Sequence, residues 1–548
     1  MAFLIAASSN RRKIAKQRSM HLYAFVLAGC GGSEAENQTN ELRGFVNYNP
    51  PRSDFDFSEE IDPYFEVLQT PQTDPYWIAA LEMDQYEIFL TPMLEDFDRV
   101  IEYTFPDSQP NYEHQEIVGW ARATEKMKFA TREILSKLEI ILDVSFVEGT
   151  DPMATNVISI ARSKQLGTAG YSFYPNTYYQ LGMDVFISKD FDSPEYTNSS
   201  ITNYEYEVLV HEIGHALGLK HPFEPDGSNT SILTIQEDNT VNTVMSYTDD
   251  VVTFNGLPRP LDWMALTKFY GVKSTYKEGD DTYNFSSSGG TFIIDGAGLD
   301  TISAADTSRD VYLDLRPGAH SHLESKSSYI TSANQLTISH GSDIENVETG
   351  SGDDTVIATA LDNLIITGAG DDTIFAGGGA DVIQSGTGSD RIDLSEDVQA
   401  VDTVAVDVSL FDLGFDTIYG FAQGAVGDVI DLSGILEADA DLFPLVAAGA
   451  APMANFSGGV LRLLGDALAT SKDLMGALGV GGALSPLSMS DGARSIIVSA
   501  ASQDTGEDQS VFYAQGSTAG IQISQLALLQ GNALDIDQWH ATNFGLVA

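Results

Sequence analysis

The apolar positions of this chain keep two rhythms in succession, and the change of rhythm divides it. Residues 100–105 (VIEYTF) alternate as a strand does, whereas Ala123, Met127, Ala130, Ile134 and Leu138 recur at spacings of three and four and predict an amphipathic helix. Short β-rich runs follow at 143–147, 156–161, 170–173 and 184–188, separated by turn residues. A second helix is predicted over 204–217, with Leu209, Ile213 and Ala216 as its core face and Gly218 as its stop. These segments predict a small sheet backed by helices. From about residue 275 the helical period disappears, Gly and Asp dominate, and a nine-residue repeat sets in, which indicates a stacked architecture. The boundary falls near Val272, and from residue 400 the repeat gives way to Ala, Gly, Leu and Asp with strand-like runs at 403–406 and 495–498.

Length and charge narrow the classes. At 548 residues the chain exceeds what one core can serve, so roughly two to four domains are expected. No stretch reaches the roughly 18 uncharged apolar residues of a spanning helix, which excludes a polytopic membrane protein. The 79 Asp and Glu against 28 Lys and Arg leave a formal charge of -51, which excludes nucleic acid as an expected partner and favours metal cations. After residue 325 only Lys326, Arg391, Arg462, Lys472 and Arg494 are basic, so that half repels itself without counterions. With Cys30 as the one cysteine, no internal disulfide can staple the fold.

The N-terminus has the order of an export signal: Arg11, Arg12, Lys13, Lys16 and Arg18, then an apolar stretch at 22–29, then Cys30. Residues 27–30 (LAGC) resemble a bacterial lipobox, which makes Cys30 a candidate lipidation site before a polar tether at 33–40. Residues 44–75, rich in Pro, Asp and aromatics without sustained period, read as a tether or a short pro-segment.

Chemistry concentrates at residues 211–221 (HEIGHALGLKH). On a helix His211 and His215 are separated by about 400°, so their imidazoles converge from one face on a point that suits zinc. Glu212, rotated by about 100°, stays out of the ligand set and close enough to a metal-bound water to act as general base. Gly218 ends the helix, with positive φ expected, and lets the chain turn so that His221 supplies a third nitrogen. Three protein ligands leave a position for water, as a catalytic zinc site requires.

The motif resembles that of the metzincin zinc peptidases, whose second marker is a downstream methionine turn; residues 243–247 (TVMSY) match it, with Met245 24 residues after His221. Within the metzincins, Tyr247 and the glycine-rich repeats point to serralysin, and residues 76–81, 101–106 and 261–271 look like parts of its catalytic domain. The resemblance implies that Tyr247 is a switchable zinc ligand that swings away to stabilise the oxyanion.

Five consecutive nonapeptides begin at Thr349, Ala358, Thr367, Ala376 and Ser385. Glycines at Gly350, Gly352, Gly368, Gly370, Gly377, Gly379, Gly386 and Gly388 permit tight turns. Asp354, Asn363, Asp372, Asp381 and Asp390 at the sixth position supply hard oxygens, and Val356, Ile365, Ile374, Ile383 and Ile392 at the eighth fill a narrow core. This resembles an RTX parallel β-roll binding calcium. The resemblance implies that calcium lies between units two apart, pairing Asp354 with Asp372, Asp372 with Asp390, and Asn363 with Asp381. The second unit lacks the glycines, and an isolated unit at 295–302, with Asp300 as its ligand, places the start of the roll before an excursion at 304–348.

The expected fold class is an α+β zinc-protease (metzincin) domain, then an all-β parallel β-roll (RTX) domain and a β-rich C-terminal secretion region. The expected divisions are 1–43 (export or lipoprotein signal and tether), 44–72 (pro-segment or linker), 73–272 (catalytic domain), 273–434 (calcium-binding β-roll) and 435–548 (C-terminal extension with secretion signal). The expected function is a secreted endopeptidase with one catalytic Zn2+ and several structural Ca2+, acting on protein and peptide substrates. Serralysin resemblance implies release through a type I secretion apparatus that reads an uncleaved C-terminal signal; Cys30 leaves a cell-surface lipoprotein with a lipid anchor as the other outcome. From a different class, the alternative is a non-catalytic calcium-binding RTX surface or adhesion protein with a relic protease domain.

Overall fold

The structure, a computed structural model, describes residues 75–112, 117–176, 181–192, 203–248, 257–285, 289–405, 416–423 and 427–431, with strands at 441–447, 459–464, 494–500, 509–517, 520–530 and 544–545. The readings of residues 1–43 and 44–72, Cys30 included, lie outside the described residues. The chain divides into two units after Lys273.

In the first unit, strand and helix periods interleave as β1 (Val100–Thr104), β2 (Ala121–Arg122), β3 (Ser145–Glu148), β4 (Val157–Ser163), β5 (Gly170–Ser172) and β6 (Val185–Ser188), with helices α1 (Tyr76–Ala79), α2 (Tyr86–Asp96), α3 (Glu125–Ile141), α4 (Asn203–Ala216) and α5 (Pro260–Tyr270). The sheet order is β3-β1-β4-β6-β5, with β2 paired to β4 off this path. β3, β1, β4 and β6 are mutually parallel and β5 is an antiparallel edge. α3 starts where the Thr124 hydroxyl accepts from Met127 N, and it buries Met127, Ala130, Ile134 and Leu138 as its period predicts. α4 is different: residues 208–216 are buried all round, because the helix lies in the interior against β5 and β6. Among the described residues no helix is long and apolar enough to cross a membrane.

In the second unit three-residue and four-residue strands alternate between two stacks. One stack holds β7 (Thr282–Asn284), β9 (Thr301–Ser303), β13 (Asn346–Glu348), β15 (Leu364–Ile366), β17 (Val382–Gln384), β19 (Thr403–Ala405) and β21 (Val429–Asp431). The other holds β10 (Val311–Asp314), β14 (Thr355–Ile357), β16 (Thr373–Phe375), β18 (Arg391–Asp393) and β20 (Asp416–Tyr419). Within each stack neighbours are parallel, in registers such as Val356↔Ile374↔Ile392 and Val347↔Ile365↔Ile383. The eighth-position residues Val356, Ile365, Ile374, Ile383 and Ile392 are all fully buried in one shared core.

The excursion at 304–348 does not leave this stack. Its β10 pairs in parallel with β14, while β11 (His320–Leu323) is inserted antiparallel between β10 and β12 (Gln335–Ile338), which pairs with β8 (Thr291–Ile293). The turn before β10 has no glycine, which is why it is invisible as a repeat; its Thr307 and Arg309 backbone nevertheless packs where a Cβ on Gly350 or Gly352 would fall. Nor does the stack end where the glycines do. Asp402, Asp416 and Asp428 stand one turn further on, at intervals of 21 or 26 residues where the repeats keep 18. Beyond them β22 (Asp441–Ala447), β23 (Gly459–Leu464), β24 (Arg494–Ala500), β25 (Gln509–Ser517) and β26 (Gly520–Gln530) extend the second sheet through β20, and β27 (Phe544–Gly545) adds to β21.

Candidate metal centre

α4 carries His211 and His215 one turn apart and stops in a Schellman motif: Leu219 N donates to Gly214 O at 2.9 Å and Gly218 N to His215 O at 3.0 Å, with Gly218 at φ 102°. The reversal delivers His221. Its Nε2 lies 3.2 Å from His211 Nε2 and 3.1 Å from His215 Nε2.

The other ring nitrogens explain why those three converge. His211 Nδ1 meets Val244 O and His215 Nδ1 meets Leu219 O, each at 2.7 Å. A carbonyl only accepts, so both Nδ1 atoms carry the proton and both Nε2 atoms present lone pairs. Lone pairs at this spacing repel unless a cation sits among them, and tetrahedral zinc with Zn–N near 2.0–2.1 Å sets its nitrogens about 3.3 Å apart. The three histidines therefore fit zinc. Burial also holds His211 down to about 4, and burial with the neighbouring imidazoles holds His215 well below its ordinary value, keeping the neutral, ligating form at pH 7.

Glu212, next to His211 on α4, is 1 % exposed. Burial pushes its carboxyl up to about 8. It lies directly beneath the edge strand: a Cβ at Gly170 would stand 2.6 Å from Glu212 Oε1. The Tyr247 hydroxyl is 2.9 Å from His221 Nε2, and its ring stacks on His211 at 5.7 Å while remaining 46 % exposed. Met245 is fully buried, its Sδ within 2.9 Å of where a Cβ on Gly214 would be.

One residue that the motif did not announce organises this turn. Buried Asp262, in the first turn of α5, accepts from Thr243 Oγ1 at 2.5 Å and from Val244 N at 2.8 Å, and Thr243 Oγ1 in turn accepts from Met245 N at 3.0 Å, so the peptides on both sides of Val244, whose carbonyl meets His211, are held. Only the tertiary fold links it to the histidines.

The repeat unit forms a second, separate set of sites. Gly368, Gly370, Gly377, Gly379, Gly386 and Gly388 take positive φ between 89° and 145°. Gly350 and Gly352 instead face the backbone of the preceding turn. Three sixth-position residues are met by the one two units before: Asp354 N donates to Asp372 Oδ1 (2.8 Å), Asn363 N to Asp381 Oδ1 (2.8 Å) and Asp372 N to Asp390 Oδ1 (2.9 Å). That uses one oxygen. The Oδ2 atoms of Asp354, Asp372, Asp381 and Asp390 are buried with no hydrogen-bond partner, a donor set of hard oxygens that fits calcium. Burial raises Asp372 to about 7 and Asp381 to about 8. Asn363 differs: its Nδ2 donates to Glu345 O at 2.8 Å and its Oδ1 accepts from Thr359 N at 3.1 Å. Asp300, with a buried Oδ2 that has no hydrogen-bond partner, clusters with Asp281 and Asp295, all three offering oxygens within 4.8 Å of one another. Asp402, Asp416 and Asp428 extend the ladder, and their signal was present in sequence as the tripeptides at 402–404, 416–418 and 428–430, each an Asp, then one residue, then Val or Ile.

A model of the RTX calcium-binding nonapeptide repeat (4 copies) matches residues 357–392, and a model of the reprolysin-like metallo-peptidase family M12B matches residues 187–259. The chain is 27 % identical over 298 residues to a serralysin of Photorhabdus luminescens, covering 48 % of this chain and 58 % of the relative. It is 27 % identical over 294 residues to a serralysin of Proteus mirabilis, covering 48 % and 56 %. Serralysin B of Dickeya chrysanthemi is 30 % identical over 216 residues, covering 35 % and 43 %. The chain thus spans about half the length of these relatives. The metallopeptidase family implies zinc and the repeats imply calcium. In its matched segments the chain is similar to serralysins, a reprolysin-like metallopeptidase segment followed by RTX calcium-binding repeats.

Proposed function

We propose that this protein is a zinc-dependent endopeptidase of metzincin fold, stabilised by calcium in its repeats. The observation that carries the reading is the convergence of three Nε2 atoms, two of them fixed by buried backbone carbonyls, beside a buried carboxylate. Zinc bound there supplies Lewis-acid polarisation of the scissile carbonyl and a nucleophilic water at neutral pH. Glu212, in its ionised form, takes the proton from the attacking water and returns it to the leaving amine. The Tyr247 hydroxyl donates to the carbonyl oxygen as negative charge grows on it. β5 is bonded through β6 alone among the described strands, so an extended peptide can pair along it above Glu212.

Calcium is held between units two apart, by Asp354 with Asp372 and Asp372 with Asp390, with Asp381 serving beside Asn363 and Asp300 at the head of the roll. The same reading assigns 1–43 and 44–72 to export and a pro-segment or linker, 73–272 to the peptidase, 273–434 to the roll and 435–548 to a type I secretion signal region, with an extracellular location. Labelling with a fatty-acid analogue, wild type against Cys30→Ser, separates release from a surface lipoprotein.

The deciding experiment is casein hydrolysis by the zinc- and calcium-loaded chain and its Glu212→Ala variant, with bound zinc quantified. Activity confined to the wild type at equal zinc is the expected result. Zinc without hydrolysis in either, unchanged by removal of 44–75, favours the non-catalytic surface protein.

A further inference from the structure

The two helical ligands and the third are held in place by different means. His211 and His215 are fixed by α4 and by carbonyls on Nδ1, whereas the His221 Nδ1 faces Glu224 Oε2 at 3.5 Å, on a side chain 62 % exposed. A largely exposed carboxylate at that distance is a weak anchor. The neighbouring residue, Lys220, is 1 % exposed and is among the largest fully buried side chains. Its ammonium donates to Ala80 O and Ser231 O at 2.8 Å, to Glu224 O at 3.0 Å and to His221 O at 3.3 Å. Its backbone N donates to Leu81 O at 2.8 Å. One buried cation thereby gathers the carbonyls of three chain segments, one of them belonging to the third ligand itself.

We propose that Lys220 is a positioning residue for the metal centre: its ammonium acts as an internal cation around which the 221–231 loop is wound, and so sets where the His221 imidazole stands. Removing it leaves four carbonyls turned toward one another in the interior, and the loop relaxes by moving outward, taking His221 from the His211–His215 pair. The proposal rests on the reading of the three histidines as metal ligands.

The test uses the full chain. Zinc affinity is measured by competition with a chromogenic chelator, and the visible spectrum of the cobalt-substituted protein reports ligand geometry, for wild type, Lys220→Met, His221→Ala and the double variant. Lys220→Met is expected to lose zinc affinity by about 10–100-fold, in the range found for partners behind a ligand, and to change the cobalt spectrum. In the His221→Ala background the same substitution is expected to cost less than about twofold, because its effect runs through His221. An equal loss in both backgrounds, or an unchanged spectrum and affinity, overturns the proposal. Should Lys220→Met fail to fold, Lys220→Gln, which keeps two N–H donors on a shorter stem, is measured in its place and is expected to fall between; wild-type affinity there overturns the proposal equally. Absence of zinc binding by the wild type would instead refute the metal centre itself.

Discussion

Replacing Asp381 by asparagine should stabilise the calcium-free protein at pH 8 and remove much of its response to calcium. Asp381 is 1 % exposed; its Oδ1 accepts from Asn363 N, while its Oδ2 is buried without a hydrogen-bond partner. Burial, then the charges of Asp402, Glu396 and Asp362, lift its carboxyl from 3.8 to about 8. The folded-state value lies above the unfolded one, so the folded form binds the proton more tightly. That contribution is complete below about pH 4 and is lost as pH rises through about 8. At pH 8 the ionised carboxylate therefore opposes folding, by an amount on the order of 2–5 kcal/mol once relaxation of the site is allowed for. Asparagine is neutral and keeps the Oδ1 acceptor. The chain already accommodates it two units earlier, where the Asn363 Nδ2 donates to Glu345 O. Urea unfolding followed by far-ultraviolet circular dichroism at pH 8, in EGTA and in millimolar calcium, measures both effects. The variant is expected to have the higher midpoint in EGTA and a smaller shift with calcium, and the EGTA difference is expected to vanish near pH 4. A variant less stable than wild type in EGTA at pH 8 would refute the reasoning.

Other substitutions separate the roles at the metal centre. Glu212→Ala is expected to keep zinc and lose at least about 10²–10⁴-fold in turnover, whereas His215→Ala loses zinc and turnover together, as metal analysis beside casein hydrolysis will report. Tyr247→Phe is expected to retain zinc and the peptide KM while kcat falls by about 10²-fold, since the lost hydroxyl acts on developing charge; an unchanged kcat removes Tyr247 from the mechanism. Gly170→Ala puts a methyl 2.6 Å from Glu212 Oε1 and should depress kcat with zinc content unaltered, a result absent if β5 simply moves aside.

Much of the candidate metal centre was legible because its first four residues belong to one helix and one turn. Spacing alone brings His211, Glu212 and His215 to one end of α4, and Gly218 reverses the chain at φ 102° to return His221. The repeats were legible for the same reason: each unit is local, so register and buried apolar position can be read without knowing its neighbours. Two turns outside the regular nine-residue register were missed because other residues can hold the same turn once a stack exists to pack against. The turn at 306–310 has none, and 397–402 (DVQAVD) keeps only its Asp, yet both stand in the ladder.

The amino-acid sequence by itself determined the local chemistry: two imidazoles on one helical face, a carboxylate beside them, and carboxylates spaced to stack. Tertiary structure alone decided what surrounds those groups. It brought Asp262 to Thr243 and Val244 in the turn whose carbonyl meets His211, Lys220 to the carbonyls of the His221 loop, and the edge strand over Glu212. It also placed β27, more than a hundred residues further along, on the edge strand of the roll. The physical reason is range. Dihedral preference and side-chain period act over a few residues, whereas burial, and the pKa values and metal geometry that follow from it, depend on segments that meet only when the chain has folded.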